Sequence, residues 1–137
     1  MLREFAIPAN PDQIPHLRRE VLRFLEEQGC PEEFCFDVGM ALQEALANAI
    51  LHGCKSNEAH SVTVEVQTSG EDATVVVRDP GPGFDRAAAR DPASPDALTA
   101  TSGRGLLMMR AYMDEVTFAR NGSEIRLRKR WKAAQRA

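Results

Sequence analysis

The sequence lacks any unbroken apolar run near the ~18 residues that a membrane-crossing helix needs. Its first residues lack the basic, apolar and small-residue succession of a secretory signal. Both absences lead us to expect a cytoplasmic protein with no membrane partner. Cysteine is scarce: Cys30, Cys35 and Cys54 make an odd set of three with no Cys-x-x-Cys pair. That usage argues for buried or idle thiols in a reducing compartment rather than a disulfide framework or a metal site. No internal repeat and no shift of composition divides the chain, so its 137 residues are expected to form one domain, 1–137. Also missing are the Gly-Lys-Ser/Thr ending of a Walker loop and the six-residue glycine spacing of a dinucleotide fingerprint.

What is present is 43% hydrophobic and 27% charged, the balance of a globular protein with a real core. The net charge of −3 hides an asymmetry, because seven basic residues follow from Arg120 onward against Glu124 alone. A basic end can bind nucleic acid. Here Arg126 and Arg128 alternate with Ile125 and Leu127, the pattern of the wet face of a strand, so no direct nucleic-acid partner is expected.

Taken in order, Leu2 to Ile7 alternates as a first strand ended by Pro8. Asn10-Pro11-Asp12-Gln13 reads as a helix start, with Asn10 as N-cap, Pro11 at the first helical position and Gln13 closing a capping box. Ile14, Leu17, Val21, Phe24 and Leu25 then repeat at helical spacing, and Gly29 supplies the C-cap. A second helix begins at Pro31, with Glu32 and Glu33 at the positive end of its dipole, and runs to Gly53. Ser61 to Gln67 and Ala73 to Arg78 form a hairpin around Ser69–Asp72. From Gly81 to Gly103 the pattern dissolves into Gly, Pro, Ala, Ser and Thr, as in a lid or a plain insertion, the lid occupying about 84–102. Leu106 to Met113 is a third helix with Leu107, Met108 and Ala111 as candidate core contacts. Two more strands, Glu115–Arg120 and Ser123–Trp131, flank the hairpin signal Asn121-Gly122, and 132–137 reads as a frayed tail. The order β-α-α-β-β-lid-α-β-β predicts an α+β two-layer sandwich, a mostly antiparallel sheet of about five strands covered on one face by three helices.

Three stretches carry polar groups in suggestive places. On the second helix Glu44, Asn48 and His52 stack on successive turns, while Val38, Leu42, Ala45, Leu46 and Ala49 form the apolar stripe. A carboxylate with an amide four residues on can be a proton acceptor beside a metal ligand, or an ordinary solvated face. Asp79-Pro80-Gly81-Pro82-Gly83 leaves the end of a Val-rich strand. It is either a turn, or a carboxylate that accepts from an exocyclic amine beside backbone able to approach a flat ring. Gly103-Arg104-Gly105 precedes the third helix, where free N–H groups and a guanidinium suit an anion, and where helix entry explains the glycines equally well.

Together and in this order, the three stretches resemble the GHKL ATPase superfamily, which joins gyrase-type, chaperone-type, mismatch-repair and histidine-kinase ATP domains; the resemblance covers about residues 36–130. The runs Glu44 to Gly53 and Gly103-Arg104-Gly105-Leu106-Leu107-Met108 are most similar to stand-alone anti-sigma-factor serine kinases. His16-Leu17-Arg18-Arg19-Glu20 faintly resembles a histidine-kinase phosphoacceptor box, but no dimerising hairpin adjoins it and His16 reads as a surface residue.

The resemblance implies ATP and Mg²⁺ as cofactors. Asn48 would be the Mg²⁺ ligand, Glu44 the general base for a serine hydroxyl, and Asp79 the receiver of the adenine amine. Gly81 and Gly83 would lie beside the base, and Gly103, Arg104, Gly105 and Leu106 at the phosphates. His52 would sit behind them. It implies a homodimer with two protein partners, a sigma factor and a STAS-type antagonist whose serine is phosphorylated. A nucleotide-gated binding module that switches a partner without phosphoryl transfer would show almost the same sequence. Thr117 and Ser123 are both available as the hydroxyl that completes the adenine pocket in related proteins.

Overall fold

A computed structural model describes residues 1–54, 59–80 and 105–131. The strands are β1 (Leu2–Pro8), β2 (Ser61–Thr68), β3 (Asp72–Arg78), β4 (Glu115–Ala119) and β5 (Glu124–Arg130). The helices are α1 (Ile14–Glu27), α2 (Glu32–Asn48) and α3 (Gly105–Tyr112). The sheet runs β1-β2-β3-β5-β4, and every described pairing is antiparallel.

Strand alternation sorts the two faces. Val62, Val64, Val66, Val75, Val77, Ile125 and Leu127 point inward and are buried. The opposite face carries the cross-strand rows Glu4, Glu65, Val76, Arg126, Thr117 and Thr63, Arg78, Glu124, Ala119. On it Arg128 pairs with Asp72 at 2.7 Å and Glu115 at 3.4 Å, so much of the basic end is matched by neighbouring acids. The three helices therefore lie on the valine face alone, as the order of elements predicts.

α1 buries Leu17, Val21, Phe24 and Leu25, the periodic residues of its sequence. Asn10 caps its entrance, accepting from the Asp12 N–H at 2.9 Å, with Pro11 in the first position. Gln13 is tied to Asn10 by its backbone, its N–H donating to the Asn10 carbonyl at 2.9 Å; a short 3₁₀ turn replaces the reciprocal capping box. α2 packs against α1 on one side and α3 on the other, above the sheet. That central place explains why residues Glu32–Leu51 suit a membrane span by length and composition, though no run in the sequence is unbroken; most of that stretch is buried inside the fold.

Two expectations need correction. The inner face of α3 is Leu106, Met109 and, just beyond it, Met113, whereas Leu107 is 58% exposed, Ala111 is exposed and Met108 half-buried. Pro8 is the last residue of β1, as expected, and still pairs with Ser61, tolerated because β1 is an edge strand with no ladder partner for a missing N–H. The β4–β5 connection is not a two-residue Asn121-Gly122 turn. The last pair is Ala119 with Glu124, and the positive φ values fall on Arg120 (52°) and Gly122 (94°). Ser123 is drawn into the loop, donating from its N–H at 3.1 Å and its Oγ at 2.9 Å to the Arg120 carbonyl.

The three cysteines are buried and form no disulfide, as their number and spacing suggest, and His16 is exposed. The lid region, Gly81, Gly83, Gly103, Arg104 and the tail lie outside the described residues.

Candidate functional site

Glu44 and Asn48 lie on the regular part of α2, four residues apart, and so share one side on adjacent turns. Glu44 is half-buried. Asn48 is only 5% exposed, more enclosed than its position off the apolar stripe suggests, because α2 is flanked on both sides. Its Nδ2 is buried with no hydrogen-bond partner. Leaving such a donor unsatisfied costs about 1–3 kcal/mol, so its retention points to a bound group that offers an acceptor, as a phosphate oxygen or a metal-held water does.

Directly after Asn48 the helix widens into a π turn, Ala49–Gly53, closed by the Cys54 N–H on the Ala49 carbonyl at 2.9 Å. Insertions of this kind recur at functional sites. The 100° step per residue therefore holds only as far as Asn48. The side chain of His52 lies outside the described residues.

Asp79 follows the last residue of β3. Arg78 faces the open side of the sheet beside Glu124, and alternation sends Asp79 toward the helices. There it meets the end of α2: burial first, and then the negative charge of Asp79, push the Cys54 thiol above its ordinary value. Cys54 thus stands between the π turn and Asp79, a neighbour that the sequence reading missed. The only signal was its position just past the helix-ending Gly53. The Asp79 N–H donates to the Ser123 carbonyl at 2.9 Å. Of the two candidate hydroxyls, Ser123 is buried beside Asp79, and Thr117 is exposed on the far face in register with Arg126.

The rings of Phe36 and Tyr112 meet edge-to-face at 6.2 Å, which sets the end of α3 beside the first turns of α2. Because the helices pack along each other, α3 must run antiparallel to α2. A rise of 1.5 Å per residue then brings Gly105, about 10 Å before Tyr112, roughly level with Gln43 and Glu44. The amide-rich start of α3 comes to the same end of the molecule as Asn48. Gly105 and Leu106 are both buried, and the Leu106 side chain sits in the core.

The described residues contain no group of three His, Cys, Asp or Glu side chains able to hold a metal. Mg²⁺ does not require one: it keeps several waters and phosphate oxygens and takes one or two protein ligands. The Asn48 amide oxygen beside the Glu44 carboxylate suits that ion, and the start of α3 suits the phosphates that would accompany it.

Fold and site together define a class: a two-layer α+β sandwich whose polar site lies between the end of the central helix, the end of β3 and the start of α3. A profile described as the histidine kinase-like ATPase domain matches residues 7–129. The chain belongs to this family. It is 30% identical over 125 residues to the anti-sigma F factor of Clostridium novyi, covering 86% of each chain. To the serine-protein kinase RsbW of Bacillus subtilis it is 26% identical over 119 residues, 82% of this chain and 74% of the relative. The crystal structure of the RsbU and RsbW domains of Rv1364c from Mycobacterium tuberculosis superposes with a TM-score of 0.67 at 16% identity. That match covers 96% of this chain and 32% of the longer one, and it shows the shared fold.

Proposed function

We propose that this protein is an ATP-dependent serine/threonine kinase and anti-sigma factor, which binds a sigma factor and phosphorylates a serine of its antagonist. The observation that carries the reading is the buried Asn48 amide, whose Nδ2 is a donor still lacking an acceptor, one turn from the half-buried Glu44. The relatives named anti-sigma F factor and serine-protein kinase support it.

In this reading Asn48 would hold Mg²⁺ through its amide oxygen, and the bound ion would neutralise charge on the phosphates. Glu44 accepts the proton of the attacking serine hydroxyl, the role of a carboxylate beside the nucleophile in phosphoryl transfer. Asp79 accepts from the adenine amine, with Gly81 and Gly83 beside the base. Gly103, Arg104, Gly105 and the Leu106 backbone receive the phosphates at the start of α3.

The test is transfer of labelled phosphate from ATP-Mg to a purified STAS-type antagonist from the same genome. Label on a serine of the antagonist is the expected result. Tight ATP binding with no label would instead support a nucleotide-gated binding module. No ATP binding at all would sink both readings.

A further inference from the structure

Glu124 is a carboxylate on the solvent face of the sheet, yet its side chain is only 6% exposed. Arg78 Nε donates to its Oε1 at 2.7 Å and Arg126 Nε to its Oε2 at 3.1 Å, with Arg120 Nε 3.8 Å from Oε1. Arg78 is also 3.8 Å from Glu65 on β2, so its guanidinium is gripped from both flanking strands. The other ion pairs of this face, Arg128 with Asp72 and Glu115, leave their carboxylates 24% and 59% exposed. Burial would raise the Glu124 carboxyl, but the bonds from Arg78 and Arg126 outweigh it and hold the group below its ordinary range.

A buried carboxylate among arginines is a poor device for stability, because desolvation offsets most of the attraction. What it does well is fix geometry, and here it fixes one point. Arg78 is the last residue of β3, in register with Glu124. The next residue is Asp79, whose N–H is held by the carbonyl of Ser123, the neighbour of Glu124. Strand ends fray unless tied. This one is tied by the Arg78–Glu124 side-chain pair on the open face and by the Asp79 N–H bond in the plane of the sheet.

We propose that Glu124, through its hold on Arg78, is a positioning residue for Asp79 and so sets the preference of the nucleotide site for a base with an exocyclic amine. The inference rests on the reading of Asp79 as the adenine contact. Glu124 touches no substrate; it acts through the β3 end.

The experiment measures the affinities of the full chain for ATP and for inosine triphosphate, which carries an oxygen where adenine has its amine. In Glu124→Gln the ATP-to-inosine preference is expected to fall about tenfold, a typical loss when an outer partner of a binding group is disturbed. Affinity for inosine triphosphate changes little. An unchanged preference, whether or not the melting temperature drops, overturns the proposal and leaves Glu124 a brace of the sheet. Should Glu124→Gln fail to fold, Arg78→Lys keeps the charge but loses the two-sided grip, and the same ratio decides. Asp79→Asn separates the two levels of reading. If it leaves the preference intact, the adenine role of Asp79 fails; if it abolishes the preference and Glu124→Gln does not, only the positioning role fails.

Discussion

At the scale of single residues, Asn48 is a polar side chain kept where packing alone would prefer an apolar one. Its buried Nδ2 has no partner, although Ala45, Leu46, Ala49 and Ile50 around it are all core. Replacing such a group with an apolar one of similar shape is nearly neutral or stabilising, because no unsatisfied donor remains. Asn48→Leu is therefore expected to melt at the same temperature or higher. Magnesium-dependent ATP binding in that variant is expected to weaken by about 10–100-fold, the range seen when ligating groups are disturbed. Calorimetric titration with and without Mg²⁺, beside a melting curve, reads both. A lower melting temperature with unaltered ATP binding would show Asn48 to be an ordinary packing residue. Burial is also why the role of Asn48 was only half legible. The spacing from Glu44 put both on one side of the helix, but nothing in the sequence says that Asn48 is enclosed there.

Among the elements, the helices with unambiguous periodicity were read correctly. Leu17, Val21, Phe24 and Leu25 mark the buried side of α1, and Val38, Leu42, Ala45 and Leu46 that of α2. α3 was not. Leu106, Leu107, Met108 and Met109 are four apolar residues in a row, so no polar residue marks which side is out, and only the packing against α2 selects Leu106 and Met109. The π turn was equally invisible, since it depends on one carbonyl, Ala49, receiving its bond from Cys54. The loop at Asn121-Gly122 was misread because Ser123 bonds back to Arg120 and takes the place of a strand residue.

α1 and α2 meet at Gly39, whose carbonyl accepts from Arg18 Nε at 3.1 Å. An added Cβ there would lie 2.9 Å from Arg18 Nη2 and 3.2 Å from Leu22 Cδ1. The arginine arm can swing, but Leu22 belongs to the packed interface, and a β-branched side chain cannot avoid both. Gly39→Val is expected to destabilise by about 1–3 kcal/mol through overpacking, measured by urea unfolding. Unchanged stability would mean that the two helices are not in close contact there.

For the whole molecule, the open face of the sheet ties stability to pH. The hydrogen bonds of Ser69 and then Arg128 hold Asp72 below its ordinary 3.8, and Glu124 is held below its ordinary 4.5. A carboxyl with a lowered folded-state pKa stabilises fully above its unfolded value and loses that contribution as pH falls through the folded value. The melting temperature is thus expected to decline as pH drops below about 4.5, followed by scanning calorimetry. At the alkaline end Cys35 is pushed up to about 11 from 9.0, by burial first and then by Glu26 and Glu32. Its folded value is raised, so the stability it contributes is complete below 9.0 and is lost as pH climbs toward 11. A protein more stable at pH 3.5 than at pH 6 would contradict the role given to these carboxylates.

The overall architecture was legible because alternation in β2 and β3 and the element order leave few arrangements. The approach of Asp79 to the end of α2 at Cys54 was legible only through family resemblance, since residues 25 positions apart come together by the geometry of the sheet. The central claim is that Glu44 serves proton transfer while other groups hold the nucleotide. It is tested most directly by Glu44→Ala, measuring ATP-Mg affinity and single-turnover phosphoryl transfer to the antagonist on the same preparation. Transfer is expected to fall by about 10²–10⁴-fold, the contribution of a positioned base, with ATP affinity nearly unchanged. Transfer at the unsubstituted rate would contradict the claim.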